Sequence, residues 1–275
     1  MKKIFGIIGD PIEHSLSPVM HNAAFEKIGL DAVYLAFRVP VAKVGDAING
    51  AKSLGIAGLN VTIPLKEEAL SFVDVEEVAK KIGAINTIDF RSGTQVGYNT
   101  DGLGSLRVLE ETVGKLKGKK VLILGAGGAA KAISFYLDAE GAEVTLANRT
   151  KERATQLVSN LRNANSISLG AELKDCIADS DILINTTSVG MYPNVDAALV
   201  TADLMLPELV VFDIVYNPME TKLLREAKKA GVKRIIDGVM MLVYQGTASF
   251  RIWTNREPPI KVMEKAVRAA LSREW

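Results

Sequence analysis

The stretch Val121 to Ala130 constrains this chain more than any other. Four large aliphatic residues, Val121 to Leu124, run directly into a glycine cluster. A short unbroken apolar run of this kind suits a strand buried on both faces. Lys131 to Leu137 then carries a helical pattern. Strand, tight turn and helix N-terminus in the form G-x-G-x-x-A make a dinucleotide-binding unit. Gly125 permits the sharp turn, Gly127 lets a pyrophosphate approach the backbone, and Ala130 lets helix and strand pack closely. Ala126, Gly128 and Ala129 complete the loop. The helix presents free N–H groups and the positive end of its dipole to the phosphates. Glycine turns of this form also occur in βα units that bind nothing. The strand before and the helix after favour the binding reading.

The next strand sharpens it. Glu143 to Ala147 leads into Asn148, Arg149, Thr150, Lys151, Glu152 and Arg153. A unit that binds NAD carries Asp or Glu at this place, hydrogen-bonded to the ribose 2′-OH. Here the position holds Asn148, followed at once by Arg149. An acid would repel a 2′-phosphate, whereas the planar forks of Arg149 and Arg153 pair with one. Arg149 can also lie over an adenine face. The pattern predicts NADP rather than NAD. Arg153 on its own reads as a solvated charge at a helix start.

At 275 residues the chain is long enough for about two domains. Its formal net charge of +1 gives no electrostatic case for nucleic acid or an anionic membrane. The single cysteine, Cys176, excludes an internal disulfide framework, fits a reducing cytoplasm and reads as a buried structural thiol. Lys2 and Lys3 precede an apolar run, as in a signal peptide, but Ile4 to Ile8 is too short and breaks at Gly9-Asp10-Pro11. No apolar stretch is long enough to span a bilayer. Oligomeric state stays open between monomer and homodimer, because a dimer patch cannot be told from core in the sequence.

Taken in order, residues 3–8 read as a buried strand, and Ser17-Pro18 as N-cap and first residue of a helix ending at Gly29. A strand at 32–38, a helix at 41–53 and a strand at 58–62 follow. Pro64 is expected to open a helix that carries Lys66. Asp74 to Glu77 reads as a capping box for a helix stopped by Gly83. Residues 84–90 and 95–98 form a hairpin around Ser92-Gly93, and 103–113 a helix. Strands near 143–147, 166–169, 181–185, 209–213 and 233–236 alternate with helices, as in a parallel sheet. Two last helices, 239–253 and 258–273, have no place in that sheet and are expected to pack back on the N-terminal region. The fold class is α/β with two domains: a substrate domain over 1–101 plus 238–275, and a doubly wound dinucleotide domain over 102–237. A bilobed molecule with a cleft is expected.

A nicotinamide enzyme needs a proton donor near the carbonyl it reduces. His14 and His21 are the only histidines. They stand seven apart across a helix start with no third ligand at suitable spacing, so neither reads as a metal ligand or proton carrier. No metal site is expected. His21 reads as packed on its helix, and His14 as partly exposed. Lys66 is the better donor, because it follows a strand end, where ligand clefts lie in α/β sheets. Asp101, Asn60, Thr62 and Asn86 fall on the same predicted sheet edge. Each alone would be cap or turn chemistry.

These residues together resemble the shikimate dehydrogenase family, along the full length of the chain. The motifs are Ser15-Leu16-Ser17-Pro18, Asn60-Val61-Thr62-Ile63-Pro64-Leu65-Lys66, Gly83-Ala84-Ile85-Asn86-Thr87, Asn99-Thr100-Asp101-Gly102, Gly125 to Ala130, Asn148-Arg149-Thr150, Asp213 to Pro218 and Tyr244-Gln245-Gly246. The resemblance implies NADPH-dependent reduction of 3-dehydroshikimate to shikimate, in aromatic amino-acid biosynthesis. It implies that Ser15 and Ser17 hold the substrate carboxylate and that Lys66 and Asp101 act in proton transfer. Asn60, Thr62, Asn86, Tyr216 and Gln245 match substrate-side positions. Gly125 to Ala130, Asn148 to Arg153, Ile214 and Gly238 match cofactor-side positions. Glu77 falls where the family is sometimes assigned a cofactor contact, though the capping box explains it as well. A quinate/shikimate dehydrogenase of the same fold is the nearest alternative; Ser15 with Ser17, and no acid at 148, favour the biosynthetic enzyme. Folate-linked dehydrogenases and glutamyl-tRNA reductase share only the dinucleotide half. A non-catalytic nucleotide sensor would be expected to have lost Lys66 or Asp101.

Overall fold

The computed structural model describes residues 2–91 and 93–273. It divides into two compact units, Met1–Gly104 with Val243–Trp275, and Ser105–Leu242.

The first unit opens with β1 (Lys3–Gly9), α1 (Ser17–Lys27), β2 (Ala32–Arg38), α2 (Val44–Ser53) and β3 (Gly58–Val61). The chain continues through β4 (Asp74–Val75), α3 (Glu77–Ile82), β5 (Thr87–Asp89) and β6 (Val96–Tyr98) to the start of α4 (Asp101–Val113). The sheet runs β2-β1-β3-β5-β6-β4, parallel at β1 and antiparallel at β5. Leu59, Val61, Ile85 and Ile88 pack with Ile48 and Leu65 as its core. Such residues supply the apolar burial that drives folding.

The second unit holds β7 (Lys120–Leu124), α5 (Gly128–Ala139), β8 (Glu143–Asn148), α6 (Lys151–Val158), β9 (Ala164–Ser168), α7 (Glu172–Ala178), β10 (Ile182–Asn185), β11 (Val210–Asp213), α8 (Lys222–Lys229) and β12 (Arg234–Ile236). All its pairings are parallel, in the order β12-β11-β10-β7-β8-β9. β7 pairs with both β8 and β10, so the chain reverses direction across the sheet there. The glycine loop leaves β7 at this switch point, where α/β sheets bind ligands. β9 begins two residues earlier than the apolar pattern suggested, because this edge strand is polar and half-exposed.

The last helices, α9 (Val239–Thr254) and α10 (Ile260–Leu271), belong mostly to the first unit, and α10 packs on α1. α9 approaches closely enough that a Cβ on Gly246 would overlap the Met20 side chain. Trp253 is fully buried on α9 and donates its indole N–H to Ile88 O at 3.0 Å.

Several local expectations are corrected. α1 is capped by Leu16 with no side-chain bond, so Ser17 is a buried first helical residue rather than the N-cap. Pro64 opens no α-helix. Leu65 N bonds back to Thr62 O at 2.8 Å, closing a turn, and the Lys66 carbonyl accepts from Ile85 N at 2.9 Å instead of from its own next turn. A short 3₁₀ segment, Glu68–Phe72, follows. Asp74 forms no capping box, because Asp74 and Val75 pair with β6; Glu76 caps α3 instead, accepting from Val78 N and Ala79 N. Gly83, at φ 72°, ends that helix as expected. The hairpin turn's Ser92 lies outside the described residues. Cys176 is half-buried rather than buried, and burial pushes its thiol up.

Candidate active site

Lys66 sits in the turn after β3, and Asp101 is the first residue of α4, where the helix dipole favours an anion. Their side chains meet at 2.5 Å, Lys66 Nζ to Asp101 Oδ2. The pair is nearly desolvated, with side-chain exposures of 15% and 7%. In so little water the ion pair needs further bonds to its remaining valences. The other carboxylate oxygen receives one from Asn86 Nδ2 at 2.9 Å. The same Nδ2 lies 3.3 Å from Gln245 Oε1 on α9. Asn86 is fixed in turn by Thr100 N, which donates to its Oδ1 at 2.8 Å. Asn60 Nδ2 donates to the Asn86 carbonyl at 2.9 Å.

Hydrogen bonds thus join Lys66, Asp101, Asn86, Gln245 and Asn60 into one network within the first unit. Among the described residues they do not extend to Ser15, Ser17 or Thr62. Ser17 N lies 3.4 Å from Ser15 Oγ at the head of α1, and Thr62 N is held by Ile8 O at 2.9 Å. Tyr216 is half-buried after β11 and belongs to the second unit. The network also contains residues that the sequence reading did not assign: Tyr34, Thr87, Thr100 and Ser249. One signal for Ser249 was available. It stands four residues after Gln245, on the same helix face.

His21 is fully buried and stacked on Tyr34 at 4.5 Å. Neither ring nitrogen has a hydrogen-bond partner among the described residues, and burial pushes its pKa down to about 3. It is a packed core residue, and His14 is exposed. Among the described residues no cluster of His, Cys, Asp and Glu could hold a metal ion.

In the second unit Gly125 adopts φ 109°, a conformation that suits glycine. A Cβ there would lie 2.7 Å from Thr186 Oγ1, itself bonded to Leu124 O at 2.6 Å. Thr186 therefore floors the loop, a role its sequence position did not reveal. Gly127 differs, because a Cβ on it would meet nothing within 4 Å. Gly127 is also the N-cap of α5 and supplies no side-chain cap, so the helix N-terminus is open to an anion. Ala130 is fully buried, and Ala126, Gly128 and Ala129 are half-exposed. Asn148 spends its Nδ2 on Thr150 O at 2.8 Å, closing the turn into α6. Arg149, Thr150, Lys151 and Arg153 are exposed. Among the described residues neither guanidinium has an ion-pair partner, while Lys151 lies 3.9 Å from Glu172. Gly238 carries a tight backbone approach, since a Cβ would lie 2.4 Å from Ile214 O. Ile214 is half-exposed beside it. Glu77 is the exposed first residue of α3, so its capping-box explanation fails. These groups fit a dinucleotide with an added phosphate: an open helix N-terminus for the pyrophosphate and the guanidinium groups of Arg149 and Arg153 after β8.

Three family models cover most of the chain: the shikimate dehydrogenase substrate binding domain over residues 7–88, shikimate / quinate 5-dehydrogenase over 107–220, and the shikimate 5′-dehydrogenase C-terminal domain over 238–268. A shikimate dehydrogenase (NADP(+)) of Methanococcoides burtonii is 56% identical over 271 residues, covering 98% of this chain and 99% of the relative. A crystal structure of a shikimate dehydrogenase in complex with NADP+ is similar with a TM-score of 0.92 at 44% identity, covering 98% of this chain and 96% of that one. Another, from Thermus thermophilus in complex with NADP(H) and shikimate, has a TM-score of 0.89 at 37% identity, covering 98% and 99%. With identity and coverage at this level, the chain belongs to the shikimate dehydrogenase family.

Proposed function

We propose that this protein catalyses the reversible NADPH-dependent reduction of 3-dehydroshikimate to shikimate, a step toward chorismate and the aromatic amino acids. The observation that carries this reading is the nearly desolvated pair of Lys66 and Asp101, at 2.5 Å, held by Asn86. The names of the relatives support it. NADPH, when bound, supplies the hydride for the ketone carbon. Charge then develops on the former carbonyl oxygen and must be met by a proton from a group within hydrogen-bond reach. Lys66 Nζ is that donor in this reading. Asp101 keeps the ammonium group oriented, and Asn86 and Gln245 offer polar contacts beside it.

Ser15 and Ser17 hold the substrate carboxylate, with Asn60, Thr62 and Tyr216 as further substrate-side groups. Residues 125–130 cradle the pyrophosphate; Arg149 and Arg153 pair with the 2′-phosphate, and Asn148, Thr150, Lys151, Ile214 and Gly238 complete the cofactor side. Glu77 stays a weaker cofactor-side candidate, since it lies exposed on α3. The substrate role belongs to 1–101 with 238–275, and the cofactor role to 102–237. Among the described residues no helix is long and apolar enough to cross a membrane. The single cysteine supports a cytoplasmic setting.

A matched pair of rates tests the reading: shikimate with NADP against quinate with NAD, followed by nicotinamide absorbance. Turnover confined to the first pair is expected. Comparable turnover of both would move the protein to the quinate/shikimate branch. Turnover of neither, with NADP still bound, would overturn the substrate half.

A further inference from the structure

Behind Asn86 lies a layer of buried hydroxyl and amide groups whose protons can be assigned. Tyr34, Thr87 and Ser249 are fully buried, and Asn60 is 4% exposed. Backbone groups fix both amides. A backbone N–H can only donate, so the atom of Asn86 facing Thr100 N at 2.8 Å is its oxygen. A backbone carbonyl can only accept, so the atom of Asn60 facing Asn86 O at 2.9 Å is its nitrogen. Asn60 Oδ1 then accepts from the Tyr34 hydroxyl at 2.6 Å. Thr87 Oγ1 lies 3.0 Å from Asn86 Oδ1 and must donate to it. Having spent its proton, Thr87 can only accept from Ser249 Oγ at 2.7 Å. That contact is shorter than the 3.2 Å from Ser249 Oγ to Gln245 O and the 3.3 Å to Thr100 Oγ1, which itself lies 3.1 Å from Asn86 Oδ1, so the Ser249 proton is assigned to Thr87. With one Asn60 Nδ2 proton held by Asn86 O, the other is shared between the Ser249 and Thr87 hydroxyls at 3.1 and 3.0 Å.

Every proton in this series points the same way. Tyr34 donates to Asn60, Asn60 to Ser249, Ser249 to Thr87, Thr87 to Asn86, and Asn86 to Asp101. Aligned donors polarise one another in a site of low dielectric. We propose that Tyr34, Ser249 and Thr87 are positioning residues, a one-way hydrogen-bond series that locks the Asn86 amide and so aims the Asp101 carboxylate at Lys66. The proposal rests on the proton-transfer reading of Lys66 and Asp101 given above. Tyr34, Ser249 and Thr87 act through Asn86 and contact neither Lys66 nor Asp101 by any described hydrogen bond.

The test is a set of variants that remove single hydroxyls: Thr87→Val, Ser249→Ala and Tyr34→Phe, with Thr87→Ser as rescue. Circular dichroism and Tm select variants that fold. For shikimate oxidation, Thr87→Val is expected to lower kcat about tenfold at a KM within about twofold, the signature of an interaction needed in the transition state. Thr87→Ser should restore the rate. Ser249→Ala should cost less, and Tyr34→Phe least. Because Ser249 works through Thr87, the double variant should be no slower than Thr87→Val alone. Additive losses, an unrescued Thr87→Ser, or a KM rise at constant kcat would each overturn the proposal. A second readout does not need turnover. The side-chain amide signal of Asn86 in a ¹H–¹⁵N spectrum should move in both Thr87→Val and Ser249→Ala. If the wild-type enzyme does not turn shikimate over, the functional reading fails by itself, and this spectrum alone decides the hydrogen-bond series. An unmoved amide signal would sink it.

Discussion

Lys66 Nζ and Asp101 Oδ2 lie 2.5 Å apart across 35 residues of sequence, one in a turn after a strand and the other at the head of a helix. Neither local structure alone would bring these two side chains together. The sheet does it, by bringing the end of β3 beside β5, whose preceding residue, Asn86, bridges to Asp101.

Replacing Lys66 with Ala should remove most of kcat, on the order of 10²–10⁴-fold for a lost general acid, with little change in KM. Asp101→Asn should fall in the same direction, because the ammonium group loses its oriented partner. Steady-state kinetics decide. A large KM rise at unchanged kcat for Lys66→Ala would make it a binding group only.

Arg149→Ala should weaken NADPH by about 10- to 100-fold, the worth of a hydrogen bond to a charged group, and leave NADH nearly untouched. The guanidinium is exposed and has no ion-pair partner among the described residues, so its loss should cost little stability. Titration calorimetry with both cofactors measures the difference. Equal losses would refute a phosphate role for Arg149.

The second unit was legible in the sequence because its signals are local: an apolar strand, a glycine turn and a helix, repeated along the chain. The Lys66–Asp101 site was legible through motifs, with one local error. Pro64 suggested a helix, but the Lys66 carbonyl is claimed by Ile85 N, a contact between distant residues that no local pattern encodes. The layer behind Asn86 was not legible for the same reason. Thr87 and Ser249 meet across 162 positions, and Asn60 and Ser249 across 189. A buried threonine on a strand or serine on a helix looks like any other small polar residue until its neighbours are known.

His21 should make the first unit acid-sensitive. The ring lies fully buried against Tyr34, Phe25, Phe250 and Trp253, and burial holds its pKa at about 3. The unfolded chain takes up a proton near pH 6.5, its ordinary value. Folding therefore favours the neutral ring. That stability is intact above pH 6.5 and is lost as pH falls toward 3, by at most about 1.4 kcal/mol per pH unit. His21→Phe should flatten this limb in denaturant titrations across the range. An unchanged slope would mean that the ring is not the group protonated.

Asp213 should act in the opposite sense in the second unit. It ends β11 and is fully buried. Burial pushes its pKa up to about 6, against three donors that favour the carboxylate: Thr221 Oγ1 at 2.6 Å, Asn185 Nδ2 at 2.9 Å and Val215 N at 3.1 Å. The folded state thus holds a proton that the unfolded chain releases near pH 3.9. The stability linked to that proton is complete below pH 3.9 and is lost as pH rises through 6, on the order of 2–3 kcal/mol in total. Asp213→Asn keeps the shape and removes the titration. Hydrogen exchange of the β10 and β11 amides, measured from pH 4 to 7, should show opening free energies that fall with pH in the wild type and stay level in the variant. Parallel profiles would show instead that the three donors outweigh burial and hold Asp213 ionised throughout.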